Sequence, residues 1–592
     1  MSRAIFLLYN IQKTSDLGVF TTLKTFVYGS RLDCSMSAYF LIALCILLIV
    51  NVVFSIPDTI KYFSYLLITF TFVLTFIDVE LYKAWRFRLD NTFFIYLKSP
   101  AEMSASVESS PVFLLFFAFL IFVFFIIKIY KKYIQVPQNE LLNWKEKAAT
   151  TLLLLVFGTA MIVPLRGGLQ QIPINQSSVY FSNEIFANHA AVNVVWNFFD
   201  AIVLKKGMTE NPFIITSDAE CKAIIDSLFI DNQSFKSILK PNTTKPNIVV
   251  IAWESLTSKV VGSLGGIDDA TPNLNKLSAE GILFTNAFAS GDRTDKGIAA
   301  ILSGYPAQPI ASIVQEGKKA EKLPVLSRDF KKNGYKTAFF YGGELDFANL
   351  KSYLFNGGFE RVISKNDFSK AECSSKWGAF DHIVFERFLK EHEQIQTPFF
   401  STMLTLTSHE PFEIPQGWEH QTYGKKSDEV SRFINSQFYT DAAFGNFIEK
   451  AKQTSWWSNT ILVVVGDHGA RLPESKSMSD NFKTPILLLG GALGENGRRI
   501  DNIVSQIDIA ATLLDLVKIQ HTDYQWSKSL FTKNNFAHCA FKNGFGFFQN
   551  DKKFIFDNVG KTPYDMSGDV NEKEILKGKA FQQAAFEDFL RK

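Results

Sequence analysis

Four apolar runs crowd into the first 165 residues, near Ser37–Phe54, Ile60–Ile77, Val112–Ile129 and Ala148–Pro164. Crossing about 30 Å of hydrocarbon takes roughly 20 apolar residues in a helix. Four such runs in succession therefore point to a bilayer rather than to a set of buried core helices. They are too many for a cleavable signal peptide, and the first follows a long polar stretch. The composition agrees: of 592 residues 47% are hydrophobic, 58 are Phe and only 20% are charged, which excludes a disordered chain. The 61 basic and 58 acidic residues leave a net charge of +3. So even a balance carries no field to gather a polyanion, and nucleic acid is not an expected partner. Five cysteines without a paired short spacing indicate neither a zinc knuckle nor a disulfide scaffold.

Lys128, Lys131, Lys132, Lys145 and Lys147 gather between the third and fourth runs, and by the positive-inside rule that loop is cytoplasmic. Everything after Pro164 then lies outside the cytoplasm. Counting back puts Met1 outside too, and an external N-terminus without an export signal leads us to expect one further span upstream. Lys83, Arg86, Arg88 and Lys98 fall on the outer side, where they can meet lipid headgroups or water. Asp78 and Glu80 read as interfacial residues at the outer end of the second span. The expected organisation is a transmembrane domain (1–165), a membrane-surface connector (166–245) with a helix at Asn193–Phe199, and an extracytoplasmic domain (246–592).

From Asn247 the texture changes to short apolar runs alternating with helical stretches, as in strands covered on both faces by crossover helices. Strands are expected at Ile248–Trp253, Lys336–Tyr341, Pro398–Leu406, Ile461–Val465 and Pro485–Leu489, with a helix opening at Thr271-Pro272-Asn273. Ligands of open α/β sheets sit at the strands' carboxyl ends. There the first strand delivers Glu254, the one near residue 400 His409, and Ile461–Val465 the pair Asp467-His468. Each has an ordinary explanation in a cap or turn, but together they make an oxygen and nitrogen donor set that Mn²⁺, Mg²⁺ or Zn²⁺ would accept. Thr294, in G-D-R-T-D-K-G (Gly291–Gly297), opens a helix. It is either an N-cap, with Asp292 in a turn, or a nucleophile aimed at a phosphorus whose oxygens meet helix N–H groups and the basic Arg293 or Lys296.

Four segments in order, N-I-V-V-I-A-W-E-S at Asn247–Ser255, G-D-R-T-D-K-G at Gly291–Gly297, T-S-H-E-P-F at Thr407–Phe412 and V-V-V-G-D-H-G at Val463–Gly469, resemble the lipoteichoic acid synthase family. These are membrane phosphoglycerol transferases within the sulfatase and alkaline phosphatase superfamily. The resemblance implies a membrane helical domain before a sulfatase-like α/β domain with a mostly parallel sheet, in the bacterial cytoplasmic membrane. It implies one divalent metal, usually Mn²⁺, on Glu254, Thr294, Asp467 and His468, with Thr294 the nucleophile. It also implies that His409 contacts the substrate phosphate or assists the leaving group, and that Trp377-Gly378 and Asp381 form a structural W-G-x-x-D. The reaction it implies moves glycerophosphate from phosphatidylglycerol to a glycan or lipid hydroxyl through a Thr phosphodiester.

Two departures bear on detail. Where the family carries a tryptophan and an arginine that grip phosphoglycerol, this chain reads Gly342-Gly343-Glu344-Leu345-Asp346. Glu344 and Asp346 would repel a phosphate but could pair an ammonium headgroup, which keeps phosphatidylethanolamine as an alternative donor. Lys483 stands where many superfamily members have a histidine, consistent with a single metal. The family commonly has five spans against the four here, which fits the expected upstream span. A phosphodiesterase of the same superfamily and a non-catalytic envelope scaffold are the competing readings; Thr294 cannot become formylglycine, which argues against sulfate-ester hydrolysis.

Overall fold

The computed structural model describes residues 1–85, 88–89, 111–134, 142–170, 173–182, 184–204, 210–230, 237–395, 398–423, 428–533, 535–542 and 544–592. The chain forms two compact units, Met1–Thr209 and Glu210–Lys592, dividing inside the segment read as a connector.

In the first unit, four helices among the described residues are long and apolar enough to cross a membrane: Ile11–Phe54, Pro57–Tyr82, Phe113–Tyr133 and Trp144–Leu165. The first begins well before the expected Ser37, because the preceding stretch is itself helical, with a kink at Gly18 (φ 72°). Asp78 and Arg88 depart from expectation. Rather than meeting headgroups or water, the Arg88 guanidinium is buried. It lies 2.9 Å from the equally buried Asp78 carboxylate and donates to the carbonyls of His189 (2.6 Å) and Val192 (3.0 Å). Burying a charge is costly unless it is paired and hydrogen-bonded, and these partners supply both. Glu80 accepts a hydrogen bond from the Tyr9 hydroxyl. The side chain of Lys83, and Arg86 and Lys98 altogether, lie outside the described residues. The helix expected near Asn193 runs Val194–Leu204 and buries Val194, Val195 and Phe198 within the unit.

The second unit is built on an eight-stranded sheet. Its strands are β1 (Asn247–Trp253), β2 (Ile282–Phe288), β3 (Lys336–Tyr341), β4 (Arg361–Ile363), β5 (Phe399–Leu404), β6 (Thr460–Gly466), β7 (Lys483–Leu489) and β8 (Arg498–Ser505), in the order β4-β3-β5-β1-β6-β7-β2-β8. All neighbours are parallel except β7, which runs antiparallel to β6 and β2. Every residue of β1 and β6 is buried, as strands covered on both faces must be. Trp253, Phe340, Phe385, Phe388, Phe444 and Phe447 anchor the core between the sheet and the helices Asp381–His392 and Glu429–Ala451. A smaller antiparallel sheet follows, β9 (Phe536–Phe541), β10 (Gly544–Gln549), β11 (Lys552–Asp557) and β12 (Thr562–Ser567), and then the helix Glu572–Arg591. One face of this sheet packs Phe536, Phe545, Phe547 and Phe554 on Phe581 and Ala585 of that helix. The Ala540 N–H donates to the Ser290 carbonyl (2.8 Å), which joins the small sheet to the loop after β2. All five cysteines are free thiols.

Candidate active site

Two central strands set the site. Beyond β1 the chain turns sharply: Ser255 adopts φ 57°, a left-handed conformation that costs a non-glycine residue free energy. The turn is held because the Ser255 N–H donates to Asp467 Oδ1 (2.8 Å) and its hydroxyl to Glu254 Oε1 (2.8 Å). The Glu254 N–H donates to Thr405 Oγ1 (2.8 Å), and Gln437 Nε2 donates to the Glu254 carbonyl (3.2 Å). At the end of β6, the Asp467 N–H donates to the Trp253 carbonyl (3.0 Å). The Asp467 carbonyl in turn accepts from Gln506 Nε2 (2.7 Å). Gln506 Oε1 accepts from the Ser290 N–H (3.1 Å), so one amide ties the strand that ends at Asp467 to the loop that leads to Thr294.

Thr294 is the first residue of the helix Thr294–Ser303; the N-cap is Arg293, which offers no side-chain cap. The hydroxyl is therefore not used for capping, and Oγ1 lies 3.5 Å from Glu254 Oε2. Gly297 explains how the helix comes so close: a Cβ there would lie 1.6 Å from the Asp467 carbonyl oxygen.

Glu254, Asp467 and His468 each bring a ligand atom to within 4.8 Å of the others. His468 Nδ1 lies 2.8 Å from the Gly469 carbonyl and so carries the ring proton, which leaves Nε2 facing Glu254 Oε1 (3.3 Å) and Asp467 Oδ2 (3.6 Å). Asp467 is fully buried, and its Oδ2 has no hydrogen-bond partner among the described residues. Such an orphaned carboxylate oxygen is costly, and a divalent cation on these three side chains would satisfy it. Protons in place of a cation leave the cluster strained. Burial, and then the Glu254 charge, push the Asp467 carboxyl up to about 7. Burial would also raise Glu254, but the hydrogen bond and charge of His468 outweigh it and hold the group at about 2. For His468 burial works against the proton, yet the two carboxylates win and raise the ring to about 10.

The cluster opens into a cavity of about 1140 Å³ lined by Thr294, Arg293, Lys296, His409, Glu410 and Arg471, among others. Arg293 is exposed there, whereas Lys296 is already paired with Asp292 (2.8 Å). His409 packs edge-on against Trp377 (4.6 Å between centroids), and the Trp377 indole N–H donates to the Glu410 carbonyl (2.8 Å). Asp381 accepts from the N–H groups of Leu406 (2.7 Å) and Thr407 (3.3 Å) and from the Thr440 hydroxyl (2.7 Å). The W-G-x-x-D segment thus braces the loop that presents His409. It also accounts for Gly342: a Cβ there would lie 2.2 Å from the Ala379 carbonyl, and one on Gly378 2.0 Å from that of Gly342. Glu344 and Asp346 are not among the cavity's lining residues, and Asp346 lies 3.9 Å from Lys351. Lys483 opens β7, also off the cavity lining.

Residues 246–519, just under half of the chain, match the Sulfatase family model. The chain carries a sulfatase-type domain. Its sheet order and the carboxylate–imidazole cluster lie inside those limits. A protein of the alkaline phosphatase superfamily from Vibrio parahaemolyticus shares the fold, with 27% identity and a TM-score of 0.56 over 65% of this chain and 98% of that structure. The lipoteichoic acid synthase LtaP from Listeria monocytogenes shares it at 18% identity and TM-score 0.53, over 63% and 98%. Lipoteichoic acid synthase-like YvgJ from Bacillus subtilis is 24% identical over 350 residues, 54% of this chain and 56% of its own. The chain spans about half the length of the curated relatives it matches.

Within this sulfatase-type domain, sequence reasoning named the ligand atoms but passed over what aims them. Ser255 and Gly297 stood inside the quoted motifs without a role. Thr405, Gln437 and Gln506 carry no spacing signal, since their work is done across the fold.

Proposed function

We propose that this protein is a membrane-bound phosphotransferase that moves a phosphoglycerol headgroup from phosphatidylglycerol to a glycan or lipid hydroxyl through an ester on Thr294. The observation that carries the reading is an uncapped Thr hydroxyl at a helix N-terminus, 3.5 Å from Glu254 and beside a three-donor metal cluster at a cavity wall. The likeness to lipoteichoic acid synthases supports it. A divalent ion on Glu254, Asp467 and His468, with Thr294 beside it, would acidify the hydroxyl and neutralise phosphoryl charge; Mn²⁺ is our choice, over Mg²⁺ and Zn²⁺.

The chain's own groups divide the rest of the work. Glu254 Oε2 takes the Thr294 proton as Oγ1 bonds to phosphorus and the bond to the diacylglycerol oxygen breaks. That oxygen leaves with a proton from His409, whose Nδ1 is turned to the Glu410 carbonyl (3.1 Å) and whose Nε2 is left for exchange. The N–H groups of the helix opened by Thr294, with Arg293, hold the phosphoryl oxygens. The acceptor hydroxyl then attacks phosphorus as it gives its proton to the His409 that the first half left deprotonated, the Oγ1–phosphorus bond breaks, and Glu254 returns its proton to Thr294 Oγ1. Glu344 and Asp346 do not line the cavity, so we place phosphatidylglycerol first and keep phosphatidylethanolamine as the alternative donor. The catalytic unit works on the extracytoplasmic face, with residues 1–165 as the membrane domain and 166–245 as its connector.

The test is to give the detergent-solubilised chain, and Thr294→Ala, each lipid with Mn²⁺ and follow diacylglycerol by mass spectrometry. Release from phosphatidylglycerol, lowered roughly a thousandfold in the variant, supports the reading. No release from either lipid by metal-loaded protein rejects it.

A further inference from the structure

Trp377 lies in the loop that leads into the helix Asp381–His392, off the cavity lining. Its neighbourhood is fastened to the loop after β5 at two points. The Lys376 N–H donates to the Glu413 carboxylate (2.7 Å), and the Trp377 indole N–H to the Glu410 carbonyl (2.8 Å). Ser375 closes the turn from within: its hydroxyl donates to the Gly378 carbonyl (2.8 Å) and accepts from the Gly378 N–H (3.0 Å). The indole is thus placed by backbone on both sides, and it meets the His409 ring at 65° with 4.6 Å between centroids.

The Glu410 carbonyl serves a second donor. His409 Nδ1 lies 3.1 Å from it. A carbonyl oxygen can only accept, so this contact requires the ring proton on Nδ1. The same oxygen has two lone pairs, and indole and imidazole together fill both. Glu410 is exposed, so its carbonyl could otherwise turn to water; the indole N–H keeps it facing the imidazole. In a neutral imidazole the hydrogen bond of one nitrogen decides the state of the other. With the ring proton on Nδ1, Nε2 is the atom that takes a proton from the acceptor hydroxyl and gives one to the diacylglycerol oxygen. The opposite tautomer would set a lone pair on Nδ1 against the Glu410 carbonyl, and the ring would have to turn away.

We propose that Trp377 is a positioning residue of this site: by holding the Glu410 carbonyl it fixes His409 in the tautomer and orientation that deliver a proton from Nε2. The inference rests on the transferase reading, in which His409 protonates the leaving oxygen.

The test compares two donors on the full Mn²⁺-loaded chain in detergent. Diacylglycerol needs a proton as its bond to phosphorus breaks, whereas p-nitrophenyl phosphoglycerol releases a phenolate that needs none. In the first turnover, Trp377→Phe, which keeps a ring but loses the N–H, should slow diacylglycerol release roughly tenfold and phenolate release less than about twofold. Added to His409→Gln, it should slow diacylglycerol release no further. 3-Benzothienylalanine introduced at Trp377 keeps the indole's shape and lacks only its N–H, so it decides the matter should Trp377→Phe misfold. A second readout needs no reaction. In ¹⁵N-histidine spectra at a pH where the ring is neutral, His409, assigned by its loss in His409→Gln, should show a protonated Nδ1 in the wild type and a mixture of tautomers once the indole N–H is gone. Equal slowing on both donors, or a tautomer indifferent to the N–H, would overturn the proposal. A tautomer that responds in a chain releasing diacylglycerol from no lipid would contradict the transferase reading while leaving the positioning role supported.

Discussion

Asp467 shows how little a motif says about the work of one residue. Its Oδ1 is spent on the Ser255 N–H, its carbonyl on Gln506, and only Oδ2 remains for a cation. Asp467→Asn keeps the size but replaces an anionic ligand by a neutral amide. We expect Mn²⁺ affinity to fall by roughly a hundredfold or more, measured by metal titration with the fold checked by circular dichroism; unchanged affinity would remove Asp467 from the metal site. Gly297 is constrained by contact alone, since its φ is ordinary but a methyl group would overlap the Asp467 carbonyl. Gly297→Ala should cost at least about 1–3 kcal/mol of stability as an overpacked site and lower metal occupancy as well. A variant as stable and as metal-replete as the wild type would show that the helix does not need this approach.

At the scale of elements, the loop after β5 carries His409 but is shaped by its neighbours. Asp381→Asn would keep one acceptor oxygen and turn the other into an NH2 donor, facing either the Leu406 N–H or the Thr407 N–H and the Thr440 hydroxyl. The expected loss is about 2 kcal/mol in denaturant unfolding, with slower diacylglycerol release and unchanged Mn²⁺ affinity; a parallel loss of metal would assign Asp381 to the cation instead. The same scale shows what was legible. β1, β3, β5, β6 and β7 are short apolar runs in the central sheet, and periodicity finds those. β8 alternates exposed Arg498, Arg499, Asp501 and Asn502 with buried residues because it lies at an edge, and β4 has three residues at the other edge. β2 and the whole small sheet were also passed over. Gly544 and Gly546 make β10 look like a turn, whereas they are the close contacts that seat Phe541 and Cys539. Arg88 was misread for a related reason: an arginine beside a span looks like a headgroup contact until the fold supplies its buried partner, Asp78.

For the second unit as a whole, the sheet that carries the candidate metal cluster stands beside a second sheet whose Phe541, Asp557 and Tyr564 line the same cavity, and the other face of that second sheet buries His538 against Phe581. This β9 residue is fully enclosed, stacked on Phe545 (5.4 Å), and neither ring nitrogen has a partner among the described residues. Burial pushes its imidazole down to about 3. The unfolded chain takes up a proton below about 6.5 while the folded one does not, so stability is full above that pH and drains away between about 6.5 and 3. His538→Phe should flatten this acid loss, raising the unfolding temperature at pH 5 relative to wild type with little change at pH 8. An equal shift at both values would mean that packing, not protonation, is responsible. The central claim is covalent catalysis by Thr294. Its most direct measurement is peptide mass spectrometry of the Mn²⁺-loaded chain quenched in acid during turnover of phosphatidylglycerol. The account predicts one glycerophosphoryl group on the peptide containing Thr294, absent from Thr294→Ala; diacylglycerol release that persists in Thr294→Ala with no adduct on the wild type would contradict it.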